Sequence, residues 1–419
     1  MTAQQEKVTA PPEKQSFYGW VIAASAMMVL FVSNGLIISG IRVFDSSLLE
    51  TFGWSRGALA FRDFLTFSTA GLLGPAAGAF ADRHGVKRPM IFGASLLLVM
   101  LLAYSRVQST TGLYAIHVAF AVVLASCGLI VAIMLVSRWF VARRGTAIGL
   151  AVVGTSLGGI VFPQLGTQLI ERFGWRQAFI IEAAFPALLL LVIAFLIRES
   201  PSDLGQTALG ADAGGDGPAI EDQGLSYSEV LRTPSFWALA FVAGTTFYAI
   251  MAAVAHLFLY GTDLGFTPQK AGSVLSTAFG MALVGKFAFG TLADRLNGKA
   301  VFIANLAVML LGGILLATLE PRLFWPAVVL FGLGWGGLYT LLQLLAVNSF
   351  GLKAAGKVLG TITVVDAIGG GLGSWVTGLL YDRTGSYQLP FIVLAVLVFL
   401  ALLVATRIKS RTQLVASAA

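Results

Sequence analysis

GAFADRHGVKR, residues 78–88, returns later in the chain as GTLADRLNGK at 290–299. Asp82 and Asp294, the acidic residues of the two copies, lie about 212 positions apart. Two further landmarks keep nearly the same offset. The run Arg143–Gly145 corresponds to Ala354–Gly356, and FGWRQAF at 173–179 corresponds to TGSYQLPF at 384–391. Three landmarks at one offset argue for an internal duplication.

The segments around these landmarks are apolar. The chain has 419 residues, of which 57% are hydrophobic and only 11% charged. A soluble protein carries roughly 25% charged residues, so this chain lacks the polar surface to face water all round. About 20 apolar residues cross ~30 Å of hydrocarbon. On that criterion twelve spans are expected at 20–41, 62–81, 89–106, 112–137, 146–167, 177–197, 236–260, 271–292, 300–318, 323–347, 355–378 and 388–407. The fold class is all-α and membrane-spanning, with two pseudo-symmetric six-helix bundles. Parallel six-span repeats place a substrate site between the halves near the midplane.

Lys and Arg in the short loops orient the spans. Arg83, Lys87, Arg88, Arg138, Arg143, Arg144, Arg198, Arg232, Arg295, Lys299, Lys353, Lys357, Arg407, Lys409 and Arg411 fall on one side. The other side holds fewer, so the richer side is cytoplasmic. Both termini are then cytoplasmic. The expected organisation is a cytoplasmic tail over 1–19, a six-helix bundle over 20–198, a linker over 199–233, a second bundle over 234–408 and a tail over 409–419. The segment 199–230, rich in Gly, Asp and Ala, reads as a flexible tether. The run from Trp20 is followed by no small-residue cleavage site, so the first span is expected to stay in the protein.

Composition also excludes several classes. Cys127 is the sole cysteine, and His84, His117 and His256 are scattered, so no metal or cofactor site is expected. The net charge of +7 sits in loops between spans, as the orientation rule puts it, and does not indicate nucleic acid. No paired carboxylates or Ser-His set stand at catalytic spacing, so the chain is not expected to be an enzyme. The expected surroundings are a lipid bilayer, and the expected state a monomer. Alanine and glycine richness points to a bacterial inner membrane.

With the repeat and the spans in place, the motif G-x-[LF]-A-D-R-x-G in the loop after span 2 resembles the signature of the major facilitator superfamily, and it is present in both halves. FYGWVIAA at 17–24, FGWSRGALA at 52–60, RWFVARRGTAIG at 138–149 and Trp335-Gly-Gly-Leu-Tyr339 are similar to the branch of monocarboxylate transporters and oxalate/formate exchangers. The resemblance covers the chain except its tails and central linker. It implies alternating access and a small organic anion as substrate. It also implies a gate in which Asp82 caps the start of span 11, with Arg83 and Arg138 joining and Asp294 and Arg295 as the second copy. The helix dipole favours a carboxylate at such an N-terminus. The position matching Arg138 reads Asn348, so the second copy is thinner.

Charges inside spans are costly and line a pathway or pair with one another. Lys286 lies about eight residues, or ~12 Å, inside span 8. Its ammonium there would attract a carboxylate. The resemblance places an Arg at this position; Lys supplies a point charge without a bidentate fork. Asp366, deep in span 11, either carries the coupling proton or neutralises Lys286. The Asp that the branch carries one turn from its Arg is Ala282 here. Span 1 offers Asn34, Ser39 and Arg42. Arg42 either receives an anion from the periplasm or sits beside Asp45 at the interface. Trp335 and Tyr339 share one helix face and match positions lining the exchangers' cavity. Phe247, Tyr248 and Phe279 are further candidate lining residues. Leu129 and Thr155 replace tyrosines of the oxalate branch, which favours a substrate with an apolar part beside one carboxylate. Arg62, Asp63, His117, Glu182 and His256 are read as interfacial.

The leading expectation is proton-coupled symport of a monocarboxylate, with Lys286 binding the anion and Asp366 or Lys286 itself coupling the proton. Anion exchange, and proton-driven export of drug-like metabolites, are the alternatives. Export is weakened by span 5, where Pro163 is displaced from the antiporter pattern in GTSLGGIVFPQLG.

Overall fold

The computed structural model describes residues 17–210, 224–351 and 353–409. Twelve helical spans run Gly19–Phe52, Arg56–His84, Lys87–Tyr104, Thr110–Trp139, Arg144–Phe173, Trp175–Leu196, Pro234–Asp263, Pro268–Arg295, Gly298–Ala317, Phe324–Phe350, Ala355–Thr384 and Gln388–Ala405. They are numbered 1 to 12 below. Several run beyond their apolar stretch, because helix-forming polar residues at the ends continue the same hydrogen-bond ladder. Span 2 starts at Arg56, capped by the Ser55 side chain. Among the described residues there is no strand, only two isolated bridges.

Span 1 is not a uniform helix. It passes through a π turn over Gly35–Ser39 and a 3₁₀ turn over Gly40–Phe44. The irregular backbone lies against span 5, where glycines let the two chains touch. A Cβ at Gly158 would fall 2.6 Å from the Cα of Gly35, and one at Gly154 would fall 2.1 Å from the carbonyl of Met27. Spans 7 and 11 repeat the contact in the second half, where a Cβ at Gly369 would meet the carbonyl of Gly244 at 2.2 Å.

The duplication also survives in polar detail. Lys87 Nζ donates to the carbonyls of Ala194 (2.8 Å) and Ile197 (3.1 Å) at the end of span 6. Lys299 Nζ donates to Thr406 and Ile408, both at 2.7 Å, at the end of span 12. Each lysine thus satisfies the orphan carbonyls of its half's last helix.

The described ends of the chain and of its central segment share one face, called the tail face here. The Tyr18 N–H donates to Gln206 and the Lys409 N–H to Ser235. The tether expected over 199–230 is held at both described ends. Leu209 exchanges backbone bonds with Trp139, Val141 and Ala142 of the first half, and Leu225 donates to Phe350 of the second. Its central residues 211–223, like most of both tails, lie outside the described residues. The short helix Tyr227–Arg232 leads into span 7 through a capping box, in which the Ser226 hydroxyl and amide hold the Glu229 carboxyl below its ordinary value.

Candidate functional site

The two halves meet along two seams. On the first, span 2 lies against span 11. A Cβ at Gly378 would fall 2.7 Å from the carbonyl of Arg56, one at Gly371 would fall 2.9 Å from Phe64, and one at Gly71 would fall 2.6 Å from Ala367. Further toward the tail face the contact ends. Gly74 and Gly78 face only Ile130 of their own half, and Gly356 and Gly360 face nothing within 4 Å. The second seam, span 5 on span 8, behaves alike. A Cβ at Gly272 would meet Thr167 and one at Gly159 would fall 2.1 Å from the Phe279 ring, while Gly145 and Gly149 face nothing within 4 Å. Both seams are closed toward the far face and part toward the tail face. The space between the halves is therefore a cavity that opens on the tail side.

Lys286 stands where the second seam parts. Its Nζ donates across the seam to Thr155 Oγ1 (3.1 Å) and Ser156 Oγ (2.9 Å). Asp366 stands at the matching place on the first seam, beside Ala367. It accepts from Tyr339 Oη at 2.9 Å. Each lies about eighteen residues, or ~27 Å, from the far end of its helix. Neither makes an ion pair among the described residues, so Asp366 does not neutralise Lys286 in this conformation.

The aromatics gather around these two groups. Trp335 meets Phe279 edge-on at 4.7 Å, and Tyr339, one turn further along span 10, meets Phe247 at 6.1 Å. Tyr248 is half-buried on span 7, and its backbone carbonyl would lie 2.1 Å from a Cβ at Gly373. Asn34 is half-buried at the lip of the π turn and donates to Ser33. Ser39 is fully buried, with its hydroxyl spent on the Gly35 carbonyl at 2.7 Å.

Arg42 differs most from its sequence reading. It is 1% exposed and pairs with Asp63, and its Nε donates to the Ile38 carbonyl. Asp45 pairs with Arg62 instead, and Arg62 also donates to Tyr104 at 3.0 Å. His117 faces Thr66 at 2.9 Å within the same cluster. Arg62, Asp63 and His117, read as interfacial, are buried, and Asp63 lies at the seam between the halves, where it also accepts from Ser374 Oγ of span 11. Glu182 is buried too; it packs near Gly166 and leaves Oε1 without a partner among the described residues. His256 is buried as well. Its Nε2 lies 2.9 Å from the Ser374 carbonyl and its Nδ1 lies 3.1 Å from Tyr387 Oη. Arg62 and Asp63 lie further in than expected because span 2 starts at Arg56 rather than at 62, and His117, Glu182 and His256 are covered by the helices packed around them. The pairing that makes such burial tolerable is tertiary.

The far face is latched between the halves. Asp382, at the end of span 11, accepts from the backbone N–H groups of Arg56 (2.9 Å) and Gly57 (2.7 Å) at the start of span 2. The Arg56 guanidinium forms a fork on Asp263 at 2.7 and 2.8 Å and donates to Tyr387 at 2.6 Å. On the tail face the corresponding charges are apart. Asp82, Arg83, Asp294 and Arg295 are exposed and make no ion pair among the described residues. Arg138 turns to Glu199 (2.8 Å) and the Ala81 carbonyl (3.1 Å) rather than to Asp82. Glu199 in turn caps span 3 through the N–H groups of Val86 and Lys87. Sequence reading missed both Asp382, in the last turn of span 11, and Glu199, in the loop after span 6, where charges are ordinary.

Comparison with known proteins settles the family. The family model described as Major Facilitator Superfamily matches residues 19–374. The chain belongs to the Major Facilitator Superfamily. It is a transporter and not an enzyme. Among relatives of this facilitator, Monocarboxylate transporter 13 of Bos taurus is 27% identical over 396 residues, covering 90% of this chain and 86% of the relative. The Oxalate:formate antiporter of Oxalobacter formigenes is 26% identical over 357 residues, covering 80% and 79%. The MFS-type transporter hasB of Aspergillus fumigatus is 27% identical over 411 residues, covering 91% and 88%. Among solved structures, an inward-facing, unoccupied bacterial homologue of the human lysosomal transporter Spinster superposes with a TM-score of 0.71 at 16% identity, covering 94% of this chain and 96% of that one. That likeness speaks to the facilitator fold alone.

Proposed function

We propose that this facilitator is a proton-coupled symporter of a small monocarboxylate, working by alternating access in a bacterial inner membrane. The observation that carries the reading is Lys286. A cation stands at the closed end of the cavity with two hydroxyls as partners and no carboxylate. Holding a charge at that depth is costly, and a pathway that must attract an anion gives it a use. Trp335 and Phe279 supply an apolar wall for the rest of the substrate. Asp366, with Tyr339 as its hydrogen-bond partner among the described residues, is the proton acceptor. The names of the mammalian relatives support one carboxylate as the recognised group. Loop charge puts the tail face, with both termini, in the cytoplasm. In the outward-open state Asp82 and Arg83, with Asp294 and Arg295 in the second copy, close that face.

The test is uptake into proteoliposomes under an inward pH gradient, with radiolabelled formate, acetate, lactate, pyruvate and oxalate. A monocarboxylate should accumulate, and a protonophore should collapse the accumulation. Lys286→Ala should lower uptake at least ~30-fold, as expected for loss of a desolvated charge partner. Asp366→Asn should abolish gradient-driven accumulation while leaving counterflow. Normal uptake by Lys286→Ala would overturn the reading, as would failure of every anion to move. Exchange is the second reading, favoured by the similarity to the Oxalobacter antiporter. It predicts uptake that depends on internal anion and ignores the pH gradient.

A further inference from the structure

Of the two hydroxyls that meet Lys286, Thr155 holds an expected cavity position and Ser156 was part of no sequence expectation, and their hydrogen-bond accounting does not close. An ammonium has three donors and no acceptor. Two of the Lys286 donors reach Thr155 Oγ1 and Ser156 Oγ. The third has no acceptor among the described residues. Thr155 passes its own proton to the Val152 carbonyl at 2.9 Å. For a helical serine the ordinary acceptor is the carbonyl one turn back. For Ser156 that carbonyl is Val152, which Thr155 already occupies. Ser156 is 2% exposed, and its hydroxyl accepts from Lys286 while its proton finds no acceptor among the described residues. A free N–H and a free O–H thus sit on heavy atoms 2.9 Å apart at the closed end of the cavity. Buried donors are normally paired, and the Ser156 hydroxyl is such a donor, beside a half-buried ammonium.

We propose that Ser156 contacts the substrate, and that Ser156 Oγ–H and Lys286 Nζ–H together clamp a single carboxylate. The proposal rests on the anion reading of Lys286 given above and deepens it. Thr155 is a positioning residue: its hydroxyl is locked on Val152, and its lone pair aims the ammonium at Ser156. The clamp takes one donor from each half, span 5 and span 8. A bound carboxylate therefore ties the halves together at the point where the seam parts, and its loss frees them to separate. The clamp also selects one carboxylate over two. The arginines buried in spans, Arg42 and Arg62, are paired with Asp63 and Asp45, so among the described residues neither is free to hold a second group.

The test compares wild type, Ser156→Ala, Thr155→Val and Lys286→Ala in proteoliposomes, with initial uptake rates measured against concentration for formate, acetate, lactate and pyruvate. Ser156→Ala removes one hydrogen bond to a charged group and should raise KM roughly 10- to 100-fold with Vmax little changed. Thr155→Val should raise KM less. A second readout uses spin labels at the exposed tail-face positions His84 and Leu296, one on each half. The anion that wild type transports should shorten their distance in wild type, and fail to do so in Ser156→Ala at the same concentration. A wild-type KM in Ser156→Ala would overturn the clamp while leaving the anion reading intact, and so would an unchanged anion-induced shortening. If wild type moves none of the four anions, or if Lys286→Ala is normal, the anion reading falls and the clamp with it.

Discussion

The two halves descend from one repeat, yet they treat their buried aspartates and cations in opposite ways. Buried in its spans the first half holds two arginines and two aspartates, and these four are matched, Arg42 with Asp63 and Arg62 with Asp45, while Glu182 is a buried acid beside them with Oε1 unpartnered among the described residues. Tyr104 and His117 complete the cluster. The second half holds Lys286 and Asp366, and neither has an ionic partner. A matched buried pair is structural ballast. It adds little net stability over an apolar core, but breaking it is expensive. An unmatched charge facing a cavity is free to change partner. Thr155 and Asp366 hold corresponding places in spans 5 and 11, each about eleven residues past the landmark at Arg144 and Ala355. The repeat thus put a hydroxyl in one half and a carboxylate in the other.

The same substitution in each half should break this contrast most visibly. Asp63→Asn leaves Arg42 buried without its counter-charge and should lower stability by about 3–5 kcal/mol. The outcome would be read as loss of monodisperse protein, or as a large fall in the unfolding midpoint in detergent. Asp366→Asn removes no ion pair and should fold like wild type while losing proton-driven accumulation. If both variants fold equally well, the first half's cluster is not the ballast described here.

The two ends of the span 2–span 11 pair give a second contrast. Each of these helices carries an aspartate in its last turn, and only Asp382 lies against the start of the other helix. Asp382 is engaged on the N–H groups of Arg56 and Gly57, whereas Asp82 is exposed. In the alternating-access cycle proposed above, the two ends are never open together. Asp382→Ala removes charge-assisted bonds worth ~1.5–3 kcal/mol before solvent takes its share, so roughly tenfold more of the population should open on the far face. Spin labels at Glu50 and Lys270 on that face should then move apart. Asp82→Ala should not open it, because Asp82 makes no bond in this conformation. Equal behaviour of the two variants would remove the reciprocal latch.

These contrasts also mark what the sequence made legible. Spans, repeat and cavity were readable because apolar length and a fixed offset are properties of the chain itself. Lys286 and Asp366 stood out because each interrupts a long apolar run. Arg42, Asp45, Arg62 and Asp63 lie at the edges of such runs, where charges are ordinary, and only the pairing across spans 1 and 2 reveals their burial. Asp382 and Glu199 act through backbone N–H groups of distant helices, which leave no mark on composition. Ser156 was silent for a related reason. A small hydroxyl inside a helix normally satisfies itself on the preceding turn, and only the tertiary placement of Lys286 shows that it does not.

The smallest expected effect is the sharpest comparison, because it removes one oxygen atom from each half. Tyr104 is fully buried, and its hydroxyl accepts from Arg62 Nη1 at 3.0 Å. In Tyr104→Phe that N–H is left without a partner and out of reach of water. The cost should be about 1–3 kcal/mol of stability. Tyr339 is 37% exposed toward the cavity and donates to Asp366. In Tyr339→Phe a water molecule can take the place of the phenol, because Tyr339 itself is part exposed. Stability should change by less than about 0.5 kcal/mol. Unfolding curves for the two variants, measured side by side in one detergent, decide the matter. A larger loss for Tyr339→Phe than for Tyr104→Phe would mean that the second half's acid is held as tightly as the first half's pairs, and the division between ballast and free charge would fail.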